Sequence, residues 1–121
     1  MTTPAQVVAR RREQRRQLLD LARAYLTRLD PDLGIAAAVV VGSVARGDFH
    51  HASDVDIVVV ARRLPPDPDQ RWQLVAPPGG IVQPVAWTPD EWRQARQRNN
   101  PLVIDALDHG AWLVGSLDAL D

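Results

Sequence analysis

Apolar residues in this chain collect into short unbroken runs separated by polar, proline-rich segments. Ile35 to Val41 is one such run, and Ile57 to Ala61 is a second. Neither shows the alternation of a half-exposed strand, so both are expected as central strands covered on two faces. Ile81 to Trp87 predicts a third strand. Pro84 lies inside it and has no N–H for a ladder, which moves this strand to an edge or a bulge. Ala111 to Val114, following Gly110, predicts a short final strand.

Between these runs the spacing is helical. Thr3-Pro4-Ala5-Gln6 has the form of a capping box with proline at the first helical position. The helix it opens should reach about Leu29, with Leu18, Ala22, Tyr25, Leu26 and Leu29 on one apolar stripe. Arg10, Arg11, Arg12, Arg15 and Arg16 go round the first half of this helix and interrupt the stripe, so that half is expected to project into solvent. Thr88-Pro89-Asp90-Glu91 predicts a second capping box and a helix to about Arg98. Asn100-Pro101 caps a further helix through Ala106, stopped by Gly110. Residues 62–80 hold five of the ten prolines and read as loop, with one helical turn around Arg71 to Val75.

Strands alternating with helices make this an α/β chain, and 121 residues suit one domain, 1–121, with a single core. The absence of cysteine excludes a disulfide framework, a thiolate metal site and a cysteine nucleophile. All fourteen basic side chains are arginine, which also excludes a catalytic or phosphate-loop lysine. The N-terminus lacks an apolar signal region, and no apolar stretch is long enough to span a bilayer, so the expected location is the cytoplasm, with no membrane partner. A net charge of −1 supplies no field that would draw the chain to nucleic acid.

The chemistry concentrates in residues 42–60, GSVARGDFHHASDVDIVVV. Residues two apart in a strand share a face, so Asp54 and Asp56 point the same way, with Cα atoms roughly 6.6 Å apart at a rise of about 3.3 Å per residue. Val55 and Ile57 point the other way, into the core. Two carboxylates held side by side repel, and one takes up a proton unless a cation sits between them. Magnesium suits the pair, since it binds one or two carboxylates together with substrate phosphates. Gly42-Ser43, ending the preceding strand, offers backbone amides and a hydroxyl to phosphate, and Arg46 one turn later could neutralise phosphate charge.

Gly42-Ser43, ten intervening residues, and then Asp54-x-Asp56, with Ala45-Arg46-Gly47 and Ser53 between, resemble the signature of the polymerase-beta-type nucleotidyltransferase superfamily. In size the chain is most similar to the minimal nucleotidyltransferases that accompany helical HEPN-domain proteins in toxin–antitoxin modules. The resemblance implies a small mixed β-sheet flanked by helices. It further implies magnesium on the catalytic residues Asp54 and Asp56, and the triphosphate of an NTP, ATP above all, on Gly42 and Ser43 with Arg46 nearby. The implied reaction transfers NMP to a hydroxyl acceptor, and the resemblance implies a HEPN-type partner as that acceptor, in an antitoxin role. The family's third carboxylate, on the following strand, aligns with Gln83, which cannot act as a base. Either the acceptor brings its own activation, or another residue such as Asp48 substitutes, or transfer is slow or absent. The last case leaves a second reading, a binding module of the same fold that holds its partner without catalysis.

The remaining polar candidates are read as ordinary structure: His50 and His51 as exposed loop residues, Asp105 and His109 as helix residues, the arginine cluster as a solvated helix end. Of Trp72, Trp87, Trp92 and Trp112, one or two are expected in the core, and an exposed one would suit a protein interface.

Overall fold

The computed structural model describes residues 1–50 and 52–120. Four strands form one sheet: β1 (Ile35–Val41), β2 (Val55–Ala61), β3 (Val82–Trp87) and β4 (Ala111–Val114). Their order is β3-β2-β1-β4, with β1 antiparallel to both neighbours and β2 parallel to β3. Five helices accompany them: α1 (Pro4–Arg28), α2 (Gly42–Arg46), α3 (Pro68–Val75), α4 (Pro89–Gln97) and α5 (Pro101–His109).

The two unbroken apolar runs are the central strands, and both of their faces are buried. Val40, Ile57, Val59 and Ala61 pack with Leu19, Ala22, Tyr25 and Leu26 of α1 and Val44 of α2. On the other face Val39, Val41, Val58 and Val60 meet Trp92 and Ala95 of α4 and Val103 and Ala106 of α5. Helices on both faces are what make polar alternation impossible in β1 and β2. Trp92 is the largest fully buried side chain, with Trp87 and Trp112 tilted against it at ring-centroid distances of 6.3 and 5.9 Å. Trp72 stands apart, 52% exposed on α3.

Prolines start the helices. Four helices carry proline in the first turn behind a capping side chain: Thr3 for α1, Asp67 for α3, Thr88 for α4 and Asn100 for α5. Both anticipated capping boxes form, Thr3 with Gln6 and Thr88 with Glu91. The helical turn expected at 71–75 is in fact eight residues long, because Asp67-Pro68-Asp69 supplies its own start, the Asp67 carboxylate accepting from the Asp69 N–H at 2.9 Å.

β3 is an edge strand, as Pro84 requires. The Val55 N–H donates to Ile81 O at 2.8 Å, so odd-numbered residues of β3 bond inward to β2 and Pro84 faces the free edge, where no N–H is needed. Arg71 covers this edge, donating to Pro65 O at 2.5 Å, Ala86 O at 3.3 Å and Glu91 Oε1 at 2.7 Å. A proline and a bound guanidinium leave little for a foreign strand to pair with.

Tyr25 ties α1 to α3, its hydroxyl donating to Val75 O at 2.6 Å inside the core. Burial pushes its pKa up to about 12. The unfolded chain loses this proton near pH 10, so between about pH 10 and 12 the folded state binds more protons than the unfolded one, and stability falls as pH rises through that window. With one tyrosine, no lysine and no cysteine in the sequence, no other side chain titrates there. Tyr25→Phe is therefore expected to flatten alkaline unfolding followed by circular dichroism between pH 9.5 and 12, and to cost about 1 kcal/mol at neutral pH for the lost hydrogen bond. An unchanged alkaline limb would count against this account.

Candidate functional site

The candidate residues converge at the C-terminal end of β1. Val41 pairs with Asp56 on β2, and Asp56 pairs in turn with Gln83 on β3, which sets Gly42, Asp56 and Gln83 side by side. Asp56 has the parity of Val58 and Val60, so it lies on the sheet face covered by α4 and α5. That face becomes core only from Val58 onward. Asp56 lies half-buried at its open end, and Asp54 stands exposed just before β2.

Gly42 makes this close packing possible. Its φ of +74° is a left-handed conformation, and a Cβ built there would stand 2.7 Å from Asp56 Oδ2. The Asp56 carboxylate therefore rests against the bare Cα of the turn. Ser43 follows, half-buried, and its hydroxyl has no hydrogen-bond partner among the described residues. α2 ends at Gly47, whose N–H donates to Ser43 O at 2.9 Å.

Charge in the site is unbalanced. Burial raises the Asp56 carboxyl above its ordinary range, the neighbouring charges of Asp54 and Asp105 raise it further, and Arg46 offsets them only in part. Neither Asp54 nor Asp56 accepts a hydrogen bond from any described residue. Two clustered carboxylates without donors, one half-buried, form an oxygen donor set that suits a hard cation. No group of three or more His, Asp or Glu residues placed to hold a metal exists among the described residues. The donor set thus fits magnesium arriving with phosphate oxygens rather than a cation caged by protein alone.

Asp105 is the residue that sequence reasoning missed. Taken as an ordinary helix residue, it instead projects from α5 to the turn, its side chain 17% exposed. Its Oδ2 accepts from the Gly42 N–H at 2.6 Å and from Arg46 Nη1 at 3.1 Å. Arg46 also donates to Asp48 Oδ2 at 3.2 Å, so Asp48 is an exposed ion-pair partner of Arg46. Only the fold brings residue 105 to residue 42. The one local signal was the apolar spacing of Val103 and Ala106, which leaves Asp105 at the border of the buried stripe.

Gln83 pairs in register with Asp56 and is exposed, its Nε2 donating to Gly80 O at 2.6 Å. His50 is exposed in the loop before the aspartates, where its N–H donates to Ser53 Oγ at 2.8 Å and its Nδ1 accepts from Ala52 N at 3.2 Å. His51 lies outside the described residues.

Comparison with known proteins gives the class of domain in which this turn, carboxylate pair and mixed sheet occur. Residues 19–113 match the family described as the nucleotidyltransferase domain, and the chain belongs to that family. It is 30% identical over 110 residues to a bifunctional uridylyltransferase/uridylyl-removing enzyme of Bordetella avium (strain 197N). That similarity takes in 84% of this chain but 12% of the relative, so the chain spans a small part of that enzyme's length. The crystal structure of a candidate nucleotidyltransferase from Sulfolobus solfataricus superposes with a TM-score of 0.62 at 19% identity, over 84% of both chains, which is a likeness of fold. No helix among the described residues is long and apolar enough to cross a membrane.

Proposed function

We propose that this domain is a magnesium-dependent nucleotidyltransferase that moves NMP, with ATP as the first donor to test, onto a hydroxyl acceptor. The observation that carries the reading is the Asp56 carboxylate packed on the bare Cα of Gly42, with Asp54 beside it and no donor to either acid among the described residues. Asp54 and Asp56 would hold magnesium, which when bound supplies charge stabilisation for a transferring phosphoryl group. The Ser43 hydroxyl and the turn would bind the triphosphate beside the aspartates, without the Gly42 N–H that the sequence offered, since it already donates to Asp105 Oδ2 at 2.6 Å. Arg46 would exchange part of its pairing with Asp48 and Asp105 for phosphate oxygens. The chain's contribution is positioning and electrostatics, the usual division of labour in transfer from a nucleotide.

A protein acceptor suits so small a domain, and a HEPN-type helical partner, with the domain in the role of antitoxin, is the acceptor the sequence resemblance supports. Trp72, exposed on α3, is the anchor we assign to that partner. A second reading is favoured by Gln83, whose neutral amide replaces the expected third carboxylate and is already tied to Gly80 O. On that reading the domain binds its partner without transfer, within one domain spanning 1–121.

Calorimetric titration of ATP with and without magnesium tests the proposal, with UTP alongside because the Bordetella relative is a uridylyltransferase. Binding that needs magnesium supports the enzyme, and the tighter nucleotide names the donor. Absence of binding to either nucleotide would reject the enzyme reading and leave the module. Gln83→Asp is expected to tighten magnesium-dependent binding severalfold by restoring a third oxygen ligand. Unaltered metal and nucleotide affinity in that variant would show that residue 83 is not the missing ligand position.

A further inference from the structure

Sequence patterning leaves the arginine-rich first half of α1 as a solvated helix end, and the structure corrects this for two of its residues. Arg11 and Arg15, four apart and therefore on one face of α1, are half-buried and reach across to the segment that joins the phosphate turn to the aspartates. Arg15 Nε donates to Val44 O at 3.0 Å and its Nη2 to Ala45 O at 3.3 Å. Arg11 Nη2 donates to Gly47 O at 3.0 Å and Phe49 O at 2.7 Å, while its guanidinium lies 3.9 Å from the centroid of the Phe49 ring. Phe49 itself is 5% exposed, anchored beneath the arginine.

These contacts fall on groups that need partners. A five-residue helix has too few turns to satisfy its own carbonyls, and those of Val44 and Ala45 are among its unpaired last four. Gly47, with φ +87°, turns the chain away from α2, so Gly47 and Phe49 belong to no ladder that could bond their carbonyls. Two guanidiniums supply all four carbonyls with charged donors, and the cation over Phe49 adds an interaction sensitive to its position. The other end of α2 is held independently, by Asp105 on the Gly42 N–H.

We propose that Arg11 and Arg15 are positioning residues for the nucleotide site: they fix α2 and the loop to Asp54 against α1, and so set Ser43 relative to the carboxylate pair. The inference rests on the nucleotidyltransferase reading for its binding consequence, but not for its structural one. Neither arginine touches the carboxylates or the Ser43 hydroxyl. Their effect passes through the backbone of residues 44–49.

The test uses Arg11→Met with Arg15→Met, which keeps most of each stem and removes every donor, and Arg→Lys at each position, which returns a charge without the fork. Two measurements are made below the melting temperature of all the variants: calorimetric affinity for magnesium·ATP, and hydrogen exchange along the whole chain. The double Met variant is expected to bind at least tenfold more weakly, the Lys variants to recover part of that loss, and exchange to accelerate in residues 43–54 while α4, α5 and the central strands stay protected. Equal affinity in the double variant and the wild type would overturn the proposal. So would faster exchange spread evenly through the chain, which marks general destabilisation. If wild-type protein binds no nucleotide, the enzyme reading fails on its own, and exchange still decides: unchanged protection of residues 43–54 in the double variant overturns the positioning role of Arg11 and Arg15. If the double variant does not fold, Arg15→Lys alone carries the same two readouts.

Discussion

Replacing both Asp54 and Asp56 by asparagine is expected to abolish transfer of the α-phosphate of labelled ATP to a co-expressed partner, and to remove magnesium-dependent nucleotide binding, in a protein that melts at a higher temperature than the wild type. The loss follows from the donor set. Asparagine keeps the shape of each side chain and one carbonyl oxygen, but it removes the negative charge that attracts a divalent cation. The gain in stability follows from the raised Asp56 pKa, caused first by burial and then by Asp54 and Asp105. Unfolding returns Asp56 to an ordinary carboxyl, near 3.9 for a free aspartate. Between that value and its higher folded value the native state carries more protons than the unfolded chain, so stability falls as pH rises through the window and stays lower above it. Asparagine has no such penalty. Thermal melts at pH 7 and pH 4 should therefore show a larger gain for the variant at pH 7. Surviving label transfer would remove the carboxylates from the mechanism, and a variant less stable than wild type at neutral pH would contradict the electrostatic account.

Gly42→Ala is the second substitution with a large expected effect, a loss of about 2–5 kcal/mol in chemical denaturation together with loss of nucleotide binding. Two separate physical terms produce it. A side chain at φ +74° costs about 1–2 kcal/mol for the left-handed backbone. The new Cβ at 2.7 Å from Asp56 Oδ2 adds an overpacking cost of about 1–3 kcal/mol, because the carboxylate must move off the turn. A double-mutant cycle separates the terms. In an Asp56→Ala background the clash has no partner, and Gly42→Ala should cost only the backbone part. Equal costs in both backgrounds would show that Asp56 and Gly42 do not constrain each other as described.

Much of the architecture was legible because it depends on short-range rules. The unbroken runs 35–41 and 57–61, of strand length and bounded by turn residues, read as doubly covered strands, and Pro84 sent β3 to an edge or a bulge, of which the fold has the edge. Thr3 and Thr88 wrote their capping boxes within four residues. α3 was read three residues short because Asp67-Pro68 was taken as part of a proline-rich loop, although the same pair begins a helix elsewhere in the chain as Thr-Pro or Asn-Pro. The Asp54-x-Asp56 pair and the Gly42-Ser43 turn were legible for the same reason: strand parity and glycine's conformational freedom are local properties.

What the sequence determined by itself was the set of elements, the placement of β3 at an edge or a bulge, and membership in a family recognisable from the spacing of Gly-Ser and Asp-x-Asp. Tertiary structure alone decided who stands beside them. Asp105 is 63 residues from Gly42 along the chain, and Arg11 is 38 from Phe49, so no local pattern connects either pair. Their contacts exist because the two faces of one sheet bring α5 to one side of the turn and α1 to the other. An arginine on a polar helix looks the same in sequence whether its guanidinium meets water or the unpaired carbonyls of a neighbouring turn, since the partner is a backbone group that every residue carries.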